Sequence, residues 1–212
     1  MDENLGKMFR DKNKEIFLNS LEIDISRNSE ALKSTTDNCV SLETNKLFIF
    51  FNTYFKEQSI EFKKEELLGI LFREKVELNK VINNRIEEKT NNLINNYLQS
   101  LKDKEILSDF LEEVSKQIDD ETEKMNNDLD YSIKSKICLE FSQYITKKYK
   151  IKSEEQIERI NSRINILFKD IIIKRVKEET KFRDDSLRNQ IKNSYEKYRS
   201  LNENTYGKFA DE

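Results

Sequence analysis

Residues 62–98 read FKKEELLGILFREKVELNKVINNRIEEKTNNLINNYL. Along this stretch Leu67, Leu71, Leu78, Ile82, Ile86, Leu93 and Tyr97 follow one another in steps of four or seven. An α-helix turns once in 3.6 residues, so these steps hold all seven side chains on one side. A strand would instead alternate apolar and polar residues. The stretch predicts one long amphipathic helix.

Composition extends that reading to the whole chain. Its 212 residues contain no proline and three glycines, Gly6, Gly69 and Gly207. Strand-and-turn folds draw on both residue types for their tight turns. Charged residues make up 37% of the chain, against about 25% in an average domain, as expected of thin helices with much solvated face. Thirteen Phe, eight Tyr and a net charge of only −3 argue against disorder, which combines few aromatics with high net charge. The expected fold is all-α, an elongated helical bundle or coiled coil.

VINNRIEEKT (Val81–Thr90) returns ninety residues later as IIIKRVKEET (Ile171–Thr180). An ungapped comparison of 11–100 with 101–190 gives sixteen identities, among them Phe51/Phe141, Tyr54/Tyr144, Arg73/Arg163 and Arg85/Arg175. Composition this biased gives about six by chance. The expectation is a tandem repeat of two three-helix units, 11–100 and 101–190, with 191–212 as a helix extension and frayed tail. Polar STTDN (Ser34–Asn38) is expected to break the first unit after its first helix, and Ser100 to cap the start of the second. SEEQ (Ser153–Gln156) is a clearer capping box, with Ser153 as N-cap and Gln156 three residues on. It opens a last helix running to about Leu201, roughly 70 Å at 1.5 Å per residue.

The chain has no histidine. That excludes Ser-His-Asp and Cys-His nucleophiles, His-ligated zinc, and the Glu-x-x-His di-iron bundle. Cys39 and Cys138 form no metal spacing, and Gly69 stands alone, so no phosphate-cradling glycine loop is present. No active site, metal or cofactor is expected. The longest apolar run is LFIFF (Leu47–Phe51), far short of a membrane span. The charged N-terminal sequence shows no secretory signal, and a cytoplasmic location is expected.

The candidate residues are therefore interface residues. Phe48 and Phe50 are extra to the first copy, whose other apolar positions 47, 51 and 54 recur at 137, 141 and 144. Arg85 and Arg175 recur at equivalent places, each three residues before a Glu. Such pairs ordinarily decorate a solvated helix face, and equivalent contacts to a repeated partner are the functional reading. Leu187, Ile191, Tyr195 and Tyr198 form a thin stripe on the last helix that suits a partner helix, including a second copy of the chain.

VSLETNKLFIFFNTYF (Val40–Phe55), followed by KEELLGILF, resembles the recognition helix and the next helix of TetR-type repressors, through Val40, Ser41, Thr44 and Phe51. It departs from them in lacking a turn glycine, in two additional residues before the aromatics, and in having no apolar helix in phase upstream. Residues 1–45 also carry six basic and nine acidic side chains, unlike a phosphate-binding surface. The chain is not assigned to that family. Charge is nevertheless uneven: net −8 over Asp103–Ile133 and net +8 over Lys134–Arg199. The expected function is non-catalytic, a scaffold or adaptor working through protein–protein contacts. The alternative is a nucleic-acid-binding regulator using the basic C-terminal half.

Overall fold

A computed structural model describes residues 2–57, 60 and 63–210, with side chains over 4–57, 60 and 63–204. The expected helix start at Phe62 and the last tail residues, Asp211 and Glu212, lie outside the described residues. The protein is an all-α helical bundle, 92% helical with four long helices. Helix α1 spans Asp2–Glu57 and α2 spans Lys64–Asn91. The second continues through a π-helical stretch, Asn92–Leu98, into the closing turn α3, Gln99–Leu101. Next come α4 (Phe110–Ser132), a π stretch (Ile133–Cys138) and α5 (Leu139–Lys148). The last long helix is α6 (Glu154–Ile166), a π stretch (Leu167–Ile173) and α7 (Lys174–Ala210).

The π stretches follow from where the apolar residues fall. Bonding from i to i+5 stacks residues five apart, and the buried residues there are Leu93 with Leu98, Ile133 with Cys138, Leu167 with Ile172, and Phe168 with Ile173. Each pair is five apart. A regular α-helix would rotate one member off the core face.

Helix ends follow local chemistry. Ser153 is extended (ψ 119°) and its hydroxyl accepts from the Gln156 backbone N–H at 3.5 Å, which is the N-cap half of the expected capping box. The C-terminus of α5 closes with Lys150 N–H donating to Lys147 O and Ile151 N–H to Thr146 O. That is a Schellman pattern with Lys150, at φ 51°, in the left-handed position usually held by glycine. At the end of α1 the Ile60 N–H donates to Phe55 O at 2.8 Å. Ile60 and Ile151 both pack against the core beside them.

The described chain forms two compact units, each drawing on both halves of the sequence. One comprises Leu32–Glu87 and Glu123–Lys181. Its core includes Leu47, Phe51 and Phe55 of α1, Leu67, Leu71, Leu78, Ile82 and Ile86 of α2, Phe141, and Ile160, Ile164, Leu167, Phe168, Ile172, Ile173 and Val176. Phe141 meets Phe51 edge-on at 5.3 Å and Phe168 at 5.7 Å. The other comprises Met1–Ala31, Glu88–Thr122 and Phe182–Glu212. Phe17, Leu21, Ile25, Leu93, Leu98, Phe110, Val114, Ile118, Leu187 and Ile191 form its core. Within that second unit, Lys89 Nζ bonds Asp184 Oδ1 at 2.6 Å and the Thr122 hydroxyl donates to Asp184 Oδ2 at 2.6 Å. Burial pulls the Lys89 ammonium below its ordinary pKa against the opposing pull of Asp184.

Two expected breaks are absent. α1 runs straight through Ser34–Asn38, because the polar residues there serve the helix. Thr36 is fully buried and its hydroxyl donates back to Leu32 O and Lys33 O, the usual way a helix accommodates a hydroxyl. The stretch resembling a recognition helix is thus the interior of one continuous helix. Ser100 caps nothing: it lies in the turn α3 and donates to Tyr97 O, and α4 starts only at Phe110.

Candidate interaction surface

Leu187 and Ile191 are buried, at 1% and 0% exposure, and offer no surface to a second chain. Tyr195 and Tyr198 are partly buried against the same core: Tyr198 stacks on Phe17 at 4.8 Å and Tyr195 on Phe110 at 5.4 Å. The stripe expected to await a partner is filled by α1 and the start of α4. An amphipathic segment with so few apolar contacts is marginal alone, and these aromatics complete its burial.

Phe48 and Phe50 are partly buried against the core of their unit, and Phe50 stacks on Tyr54 at 6.0 Å. Arg85 is half-buried, its guanidinium 3.8 Å from Asp128. Arg175 is exposed and pairs with Glu178 at 3.3 Å and Glu179 at 3.4 Å. It lines a groove of about 470 Å³ with Cys39, Leu42, Glu43 and Lys46. Other basic side chains of the C-terminal half are similarly engaged: Lys177 with Asp130 and Arg199 with Glu203, while Arg188 bonds Asp119, Asp185 and Ser115.

The surface that sequence reading missed lies on α2. Leu68, Phe72 and Val76 are 42%, 65% and 48% exposed. Residues four apart share a helix face, so these three form a stripe. The same helix thus carries two apolar faces. Leu67, Leu71 and Leu78 are buried, while Leu68, Phe72 and Val76 meet solvent. Single exposed apolar residues are ordinary, whereas a contiguous apolar row marks a place of contact. Plotting α2 as a wheel would have separated the two rows.

A second feature of the same unit is a groove of about 600 Å³ whose walls include residues of the second and third π stretches. Asp130, Lys134, Asn165 and Lys169 line it with Tyr131 and Ile166. Cys138, also on its wall, is buried, and burial pushes its thiol from 9.0 to about 12. At that value it is no nucleophile at neutral pH, since the thiolate is the reactive form. Among the described residues, no group of three or more carboxylates and thiols is placed to hold a metal ion. No described helix is long and apolar enough to cross a membrane.

The fold class and its surface place the chain among all-α helical bundles. No protein-family model matches it, and no curated protein or solved structure does so either.

Proposed function

We propose that this protein is a non-catalytic interaction module, a scaffold or adaptor whose work is to bind another protein. The observation that carries this reading is the exposed row Leu68–Phe72–Val76, set on the back of a helix whose opposite face is fully committed to its own core. A rigid helix presenting aromatic and branched side chains is the form in which helix-in-groove and helix-on-helix contacts are made. The alternative, binding of nucleic acid through the basic half, draws less support, because Arg175, Lys177, Arg188 and Arg199 are turned to neighbouring carboxylates. A photo-crosslinking amino acid placed at position 72 in the source cell tests the reading. It should yield a discrete protein adduct, whereas the same group at exposed Glu158 should not. Equal, diffuse labelling at both positions would count against an interaction role.

We also propose that 11–100 and 101–190 descend from one duplicated segment. The helix starts support this: α2 begins at Lys64 and α6 at Glu154, ninety residues apart. The helices before them end in the same kind of i to i−5 bond, Ile60 to Phe55 and Ile151 to Thr146, offset by ninety-one residues, one more than the helix starts.

A further inference from the structure

We propose that a second copy of this chain docks on the exposed face of α2, the two α2 helices crossing antiparallel at Gly69. The inference rests on the interaction reading and names the partner. Gly69 is the starting point. Glycine is the poorest helix former after proline, yet this one sits inside α2 without a positive φ. A Cβ built on it meets nothing within 4 Å, so neither backbone conformation nor packing within the described chain calls for glycine there. Gly69 shares the solvent face with Phe72 and Val76, three and seven residues on. A glycine amid exposed apolar side chains leaves a notch, which lets another helix backbone approach closely.

Charge complementarity selects the second copy. In an antiparallel pair crossing at Gly69, a residue four before the glycine in one chain lies level with the residue four after it in the other. Those residues are Glu65 and Arg73, so each crossing brings two opposite-charge pairs together, the self-complementarity that a two-fold interface requires. Glu65 is exposed. Arg73 has 55% of its side chain exposed; its Nε and Nη2 bond Glu74, and its guanidinium lies over the Tyr144 ring, 4.8 Å from the centroid. The far nitrogen Nη1 remains for a partner carboxylate, since a guanidinium carries five donors.

Light scattering and sedimentation of the full chain at tens of micromolar test this. Wild type should be a dimer. Gly69→Gln should raise the dissociation constant by about tenfold or more, while helical circular dichroism stays unchanged. Gly69→Ala should weaken the dimer in the same direction and yet melt higher when dilute, because alanine favours the helix. Arg73→Glu should also weaken the dimer, and adding Glu65→Arg in the same chain should restore it. A monomeric wild type at these concentrations would overturn the proposal, as would a dimer that Gly69→Gln leaves intact. A monomer that still gives a discrete crosslink to another protein at position 72 would overturn this inference alone. A monomer with no crosslink would remove the interaction reading as well.

Discussion

The Lys89 ammonium sits 2.6 Å from Asp184 Oδ1, with the two side chains 5% and 3% exposed. Ninety-five residues of chain separate them, and Thr122 supplies the second bond to the carboxylate. Taking two charges out of water costs several kcal/mol, which their attraction returns only when both are present. Removing either charge by Lys89→Met or Asp184→Leu should therefore destabilise the protein by about 3–5 kcal/mol. The double variant should recover most of that loss. Denaturant unfolding of the three variants decides it, and additive losses in the double variant would contradict the pairing.

Lys150 is the one described non-glycine residue with positive φ. The left-handed region costs a side-chain-bearing residue about 1 kcal/mol relative to glycine. Lys150→Gly should stabilise the protein by roughly 0.5–1 kcal/mol, read as a rise in melting temperature. A fall would mean that the Lys150 side chain contributes more than its backbone costs.

Cys138 sets an alkaline limit. Its thiol is raised from 9.0 to about 12, first by burial and then by the Glu74 carboxylate. The folded chain therefore keeps a proton that the unfolded chain releases. This group's contribution is complete below pH 9 and is lost as pH rises toward 12. The loss is about 1.4 kcal/mol per pH unit. Cys138→Ala should flatten the decline in unfolding free energy between pH 9 and 11. Parallel curves for wild type and variant would contradict the assignment, since Tyr97, also raised to about 12, is common to both.

Each compact unit takes segments from both sides of the connection between Leu101 and Phe110. Fragments 1–104 and 105–212 should each be poorly helical alone and regain a cooperative melt when mixed one to one. Two independently cooperative fragments would instead support self-contained domains at 11–100 and 101–190.

The helices were legible because apolar steps of three, four and seven leave no other structure. Leu67, Leu71, Leu78, Ile82, Ile86 and Leu93 are all buried as their spacing demands. In α1 spacing decides less: Leu18, Leu21 and Ile25 are buried at helical steps, whereas Ile16, which shares that pattern, is 56% exposed and its neighbour Phe17 is buried. Breaks were less legible. Polar residues at 34–38 look like a loop until Thr36 is seen bonding its own helix, and nothing local distinguishes the two uses. The C-terminal stripe lies on one helix, whereas its burial depends on Phe17 and Phe110, far away in sequence. The exposed row on α2 was present in the residue spacing and was masked by the buried row beside it.

Quantitative co-purification from the source cell bears most directly on the binding role of α2. Tagged wild type and Phe72→Glu, matched for circular dichroism and expression, are compared for the proteins they retain. A binding role predicts that wild type holds a partner in near-stoichiometric amount, a second copy of the chain included, and that Phe72→Glu loses it. Identical retention by the two would contradict the role assigned to this surface.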